Sequence, residues 1–262
     1  MRGRGLALAV LLAGCAPRPA VVSAPPPRSA SPPPAAVTAG FDVVEVDTGA
    51  SPVTVLAARG DLGRVRVKVV AGPRAREQWQ TAAQVAQRLG ALAVINGGYF
   101  DEQSRPLGLI VSDGRQVNPL RSADWGVLLV RGRRAEIVHT RQVRELEGVQ
   151  QALQCGPRLV AEGRPLKLKP SAPEPRSAVG LDAAGRLVLA ATTHGGLTLA
   201  QFAAILARPE AEGGLGLSAA LNLDGGPSSQ MCVPGRADLP GGWAMPSHLA
   251  LLPEKSLAEH AP

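Results

Sequence analysis

The sequence predicts a single α+β domain, a mixed β-sheet with a few packed helices, over residues 41–253. Three observations carry that expectation. Short runs rich in Val and Leu, each bounded by Gly, Pro or Asp, recur along this stretch as strands do. Two other segments repeat their apolar residues at helical spacing. One of these helical segments stands between two strand-like runs, the succession that joins parallel strands by a crossover. Roughly 210 residues is a comfortable length for one domain with one core.

Ahead of the domain stand two segments that do not belong to its core. In residues 1–15, Arg2 and Arg4 precede a short apolar run from Leu6 to Ala13, which ends on Leu12-Ala13-Gly14-Cys15. A run this short reads as a secretory signal, not a membrane span. Its Leu-Ala-Gly-Cys ending resembles the bacterial lipobox, which makes Cys15 the expected lipidation site and a lipid anchor the only expected membrane contact. An exported protein is therefore expected, lipid-anchored at the periplasmic side of the membrane or the cell surface. Residues 16–40 are rich in Pro, Ala and Ser and carry no acid, as a semi-extended tether would.

Within the domain, strands are expected at 43–46, 53–57, 65–70, 92–95, 126–130, 135–138, 178–181, 187–191 and 219–223. A first helix is expected over 77–89, with Trp79, Ala82, Val85, Ala86 and Leu89 on one face. A second begins at Thr198, where Thr198 and Gln201 have capping-box spacing, and buries Leu199, Phe202, Ile205 and Leu206. If residues 187–192 and 219–223 run parallel, the loops that follow them leave from one edge, where open sheets tend to bind ligands. Residues 254–262 form a tail.

Composition excludes several classes. The formal charge is +7, but Arg2, Arg4, Arg18 and Arg28 lie in the signal and tether, leaving +3 on the rest. That surplus, with 3% aromatics, does not point to nucleic acid. Four His and the two Cys left in the domain show no zinc-ligand spacing, and no Gly-x-Ser-x-Gly elbow occurs. Cys155 and Cys232 are either a disulfide, which export permits, or two buried thiols.

Three segments carry candidate chemistry. In Leu221-Asn222-Leu223-Asp224-Gly225-Gly226-Pro227-Ser228-Ser229, Asn222 and Asp224 share one face of an extended run. Gly225 and Gly226 allow close backbone approach, and the loop's amides with Ser228 and Ser229 offer an anion site. Asn96-Gly97-Gly98-Tyr99-Phe100-Asp101 echoes the pattern after another apolar run. Arg176, flanked by Pro175, is a planar donor fork suited to phosphate. His194 sits in the loop before the second helix.

In order, NGGYFD, PLGLIVSDG, QCGPRLV, PRSAVGLDAAGRL, THGGLTLAQFAAIL and LNLDGGPSS resemble the phosphodiester glycosidase family, from about Val65 to Leu252. The resemblance implies a phosphodiester-glycosidase-like α+β fold and hydrolysis of a sugar-1-phosphodiester at its glycosidic side. Its polar motif residues fall on Asn96, Asp101, Arg176, Asp224, Ser228 and Ser229. This chain departs from the family at Pro227, where a glycine is frequent, at Ser177, where Thr is frequent, and near His248, where an arginine is absent.

Asp224, Asn96 and Arg176 are the expected catalytic set. Arg176 and the Gly225 and Gly226 amides are expected to hold the phosphate. Asn222, Tyr99, Asp101, Ser228, Ser229 and His194 are expected to contact substrate. No cofactor is required, although Asp101 and Asp224 could share a Ca²⁺ if they meet. A monomer acting on envelope or exopolysaccharide glycans is expected, the alternative being a non-catalytic polysaccharide-binding lipoprotein of the same fold.

Overall fold

Strands buried on both faces explain why so many apolar runs in this chain do not alternate with polar residues. The computed structural model describes residues 40–49, 53–72 and 75–254, all within one unit, Pro33–Pro262. Cys15, the signal segment and nearly all of the tether lie outside the described residues.

In chain order the first strands are β1 (Phe41–Asp47), β2 (Thr54–Gly60), β3 (Val65–Ala71), β4 (Ala93–Asn96), β5 (Ile110–Ser112) and β6 (Arg115–Asn118). Then come β7 (Gly126–Arg131), β8 (Arg134–His139), β9 (Gln151–Cys155), β10 (Arg158–Ala161), β11 (Arg164–Pro165) and β12 (Ser177–Asp182). The last are β13 (Leu187–Thr192), β14 (Leu217–Asn222), β15 (Met231–Val233), β16 (Ala237–Leu239) and β17 (Ser247–Pro253). Helix α1 spans Ala82–Leu89 and α2 spans Leu199–Ala207.

The strands form three sheets, ordered β1-β2-β13-β12-β14-β10-β11, β16-β15-β4-β17-β3 and β6-β5-β9-β7-β8. All three contribute to one central core, which includes Leu56, Ile95, Leu128, Leu153, Val179, Leu189, Leu221 and Leu249. Neighbouring residues of the same strands point the other way. Val55, Ala57, Val188 and Ala190 pack against Phe202, Ile205 and Leu206 of α2, while Val94 and Ala250 pack against Val85 and Ala86 of α1. Each helix thus covers one sheet, and the strands beneath are apolar on both faces.

Two expectations need correction. The sheet is not mixed, because every strand pairing among the described residues is antiparallel. The α2 crossover does join strands of one direction, but β12 lies between β13 and β14 and is antiparallel to both. The first helix starts at Ala82, not Glu77. Thr81 caps it with Gln84 in a capping box, and residues 76–78 form a separate 3₁₀ turn. The second box, Thr198 with Gln201, stands where the sequence places it.

The topology gathers three chain ends at one sheet edge. The start of β12 lies beside the ends of β13 and β14, with Ser177 opposite Ala191 and Ala178 opposite Asn222. Residues just beyond those strand ends therefore converge.

Phe202 is fully buried between α2 and the seven-stranded sheet. Phe202→Ala should lower unfolding free energy by about 3–5 kcal/mol, read as a lower urea midpoint with an unchanged slope.

Candidate active site

Asn96 closes β4 with its side chain wholly buried. Its Nδ2 donates to Asp224 O (2.8 Å) and Gly97 O (3.2 Å), and its Oδ1 accepts from Gln230 N (3.1 Å). Gly97 N–H donates to Ser247 O (2.8 Å), and Asp224 N–H donates to Gly97 O (3.1 Å). A Cβ at Gly97 would lie 2.2 Å from Ser247 Oγ, so only glycine lets the two strands close here. The Asn-Gly pair is thus a buried clasp that holds the Asp224 loop, and no hairpin turns there.

Asn222 and Asp224 leave the end of β14 toward Tyr99. Asn222 Nδ2 donates to Tyr99 Oη (3.1 Å) and Gly156 O (3.0 Å), and Tyr99 Oη donates to the same carbonyl (2.5 Å). The Tyr99 ring packs edge-on against Trp125 with centroids 5.3 Å apart. Burial, with the nearby Cys155 and Asp224, raises the Tyr99 pKa and keeps the phenol protonated. Burial likewise raises the Asp224 pKa. Hydrogen bonds from the Ser228 side chain and the Gly225 backbone oppose that shift only in part.

Arg176 precedes β12 and is 6% exposed. Its backbone N–H donates to Thr192 Oγ1 (2.9 Å), its Nε to Leu197 O (2.8 Å) and its Nη2 to Ala172 O (2.6 Å). Nη1 is the nitrogen left over, 3.5 Å from Glu174 Oε2 and 3.6 Å from where a Cβ on Gly225 would stand. Burial lowers the Arg176 pKa, and Glu174 and Tyr99 oppose the shift. Ser229 Oγ lies 2.7 Å from Ser177 Oγ, both buried, and helps seat the loop on β12.

Several sequence expectations change on contact with these distances. The Gly225 and Gly226 amides are not open to an anion, since Gly225 N–H donates to Asp224 Oδ1 (3.0 Å) and Gly226 N–H to Pro175 O (2.8 Å). Asp101 is taken up by Arg105, whose backbone N–H, Nε and Nη2 reach it at 2.8–2.9 Å and lower its pKa. Among the described residues no group of three or more His, Cys, Asp or Glu gathers to hold a metal. His194 is exposed, at φ 34°, on the rim of a cleft beside Gly226 and Pro227. His248 is buried, and its pKa is pushed down to about 3 by burial, with Arg88 adding to the shift. It therefore supplies no positive charge in place of the missing arginine.

Cys155 and Cys232 are free thiols in separate clusters, which decides between the two expectations. Burial pushes the Cys155 thiol up to about 12.

Sequence reasoning missed Gln230 and Gly156. Gln230 Oε1 accepts from Ala82 N at the start of α1 (2.6 Å), and its Nε2 donates to Trp243 O (2.9 Å). The Gly156 carbonyl receives both Tyr99 and Asn222. Gly156 lies in the QCGPRLV motif, but the task of its carbonyl leaves no mark on residue type, and Gln230 is signalled only by being a polar residue just past the loop.

Three solved structures illustrate the likeness in architecture. The catalytic domain of zebrafish N-acetylglucosamine-1-phosphodiester alpha-N-acetylglucosaminidase, auto-inhibited by its pro-peptide, is 22% identical, with a TM-score of 0.61 and 82% of each chain covered. A Burkholderia pseudomallei protein described as exported is 16% identical (TM-score 0.59), covering 77% of this chain and 74% of its own. A hypothetical protein from Synechocystis is 15% identical (TM-score 0.55). The match covers 82% of this chain but only 62% of the Synechocystis one. These likenesses define the class of fold. Among curated proteins none matches.

The family follows from the sequence. The phosphodiester glycosidase profile matches residues 89–252, well over half the chain, and the chain belongs to that family. The matched span holds every candidate residue of the domain, from Asn96 to Ser229.

Asn96→Ala leaves the Asp224 carbonyl and the Gln230 amide without their buried partner. It should cost about 1–3 kcal/mol and speed hydrogen exchange in the Asp224 loop. In denaturant without reductant, Cys155 and Cys232 should both titrate with a thiol reagent, and neither should react in the native domain.

Proposed function

We propose that the protein is a hydrolase that cleaves a sugar-1-phosphodiester on its glycosidic side, in envelope or exopolysaccharide glycans met from a lipid-anchored position outside the cytoplasm. One observation carries the reading. A desolvated carboxylate, Asp224, and a pinned guanidinium with one nitrogen to spare, Arg176, flank the same glycine, Gly225. Family membership and the likeness to the zebrafish catalytic domain support it.

Each residue then has a distinct task. Arg176 Nη1 receives the phosphate and offsets the charge that grows on it as the C1–O bond breaks. The phosphate monoester so held leaves without a general acid, so a second catalytic carboxylate is not needed, and Asp101 can remain bound to Arg105. Asp224 activates water or stabilises the oxocarbenium-like state at C1. Tyr99 presents ring surface to the sugar, and Asn222 fixes its hydroxyl. Asn96 acts through the loop as a positioning residue.

Asp224→Asn and Arg176→Ala should each fold normally by circular dichroism. Each should lower kcat for release of reducing sugar from an N-acetylglucosamine-1-phosphodiester by about 10²–10³-fold. Full activity in either variant would overturn the assignment, and binding without turnover in the wild type would favour a glycan-binding protein instead.

The raised Asp224 pKa fixes two pH effects of definite sign. The ionised form that activity needs is lost as pH falls through the raised value, so the acid limb of kcat/KM should lie at higher pH than an ordinary aspartate would give. Because the folded state holds this proton more tightly than the unfolded chain, Asp224 makes stability fall as pH rises from its ordinary to its raised pKa. Asp224→Asn should therefore melt at a higher temperature than wild type at pH 7, and the gain should vanish at acid pH.

A further inference from the structure

Beside α1, on the face of the five-stranded sheet turned away from the central core, opens a pocket of about 250 Å³. It is separate from the candidate active site, since neither Asp224, Arg176 nor Tyr99 lines it. Its floor is buried and includes His248, Val70, Val85 and Met245, while Gln80 and the exposed Arg88 stand at its rim. His248 lies opposite Val70 in the β3–β17 ladder and two residues before Ala250, and both of these pack against α1. Alternation along β17 therefore turns the imidazole toward α1 and this pocket, not toward the central core.

Two groups in this pocket lack a counterpart. His248 is 2% exposed, and its Nε2 has no hydrogen-bond partner, while the Gln80 backbone binds the other ring nitrogen. That bond places the proton on Nδ1, so the neutral ring carries a lone pair at Nε2 with nothing to accept. A buried acceptor left in this way costs free energy that a donor would recover. Arg88 donates its Nε to Gln80 Oε1 (2.9 Å), and its charge is close enough to bear on the imidazole. Among the described residues no carboxylate lines the pocket to balance that charge.

We infer that this pocket is a separate anion site for a small oxyanion that brings its own proton, a hydrogen phosphate group. Arg88 calls for negative charge, and His248 Nε2 calls for a donor. A phosphate that keeps one P–OH meets both, the hydroxyl donating to Nε2 and the other oxygens facing the guanidinium. Sulfate has the same shape but no proton near neutral pH, so it would press one lone pair against another. A metal cation would meet the Arg88 charge, and an uncharged alcohol would leave that charge unanswered. Entry parts Arg88 from Gln80. That single exposed hydrogen bond is weak, and the guanidinium then turns from the amide to the anion.

The test follows the His248 Nε2 signal by nitrogen NMR of the labelled protein at about pH 6, where inorganic phosphate keeps P–OH groups and sulfate has none. The signal is identified by its failure to titrate near neutrality, as that of a buried neutral ring. Adding inorganic phosphate at constant ionic strength should move it to lower frequency, the direction of hydrogen bonding to the lone pair, and the shift should saturate. Sulfate should leave it in place and should displace phosphate only at about tenfold higher concentration. Arg88→Gln alters an exposed rim residue and should fold normally by circular dichroism. It should weaken phosphate by about tenfold. An equal response to both anions, no response to phosphate, or a phosphate response unchanged in Arg88→Gln would each overturn the inference. All three outcomes leave the hydrolase reading standing, because Asp224→Asn and Arg176→Ala test that reading separately.

Discussion

The site depends on one buried amide. Asn96 holds its own strand end, the Asp224 loop and the Gln230 backbone with three hydrogen bonds in a place without water access. An apolar residue of similar size would leave the Asp224 carbonyl and the Gln230 amide unpaired, each at the full cost of desolvation. The consequences spread outward. Gln230, fixed by Asn96, receives the first amide of α1 and holds the Trp243 backbone, so a helix start and the cleft wall take their positions from the same point. The five-stranded sheet that carries β4 and the seven-stranded sheet that carries β14 are clasped here.

Much of the fold was legible because its main signals are local. Thr198 and Gln201 specify a cap through neighbours three residues apart, and the Val/Leu runs of β2, β7, β12 and β13 are long enough to announce themselves. The unexpected strands are those whose partners supply the pattern. In β9, Gln151 and Gln154 look polar, yet their side-chain oxygens accept from Val69 N and Leu109 N, standing in for backbone acceptors of distant segments. The short strands β5, β15 and β16 have three residues each, too few for any periodicity. Sheet direction was misread because β12, which separates β13 from β14, precedes both in the chain.

The site was legible in composition but not in division of labour. Asp224, Arg176, Tyr99 and Asn222 do converge at one edge, because the glycines and the apolar strands before them mark that edge. What the sequence could not reveal is which donors were already spent. In sequence the Gly225 and Gly226 amides read as open, and only the positions of the Asp224 carboxylate and the Pro175 carbonyl close them. Asp101 was lost to a residue four positions away, a local pairing that competes with any distant role. Desolvation of Asp224 and Arg176 together is a site held under electrostatic load, and such load is commoner where chemistry is done than where only packing is needed.

Tyr99 is the chain's single tyrosine among 262 residues. Its hydroxyl is bound to Gly156 and Asn222, its ring rests against Trp125, and Asp224 is close enough to bear on its ionisation. The protein therefore carries a native optical label beside Asn222 and the Asp224 loop. Ionisation of that one phenol, with Trp125 packed against its ring, reports on this spot without any engineered probe.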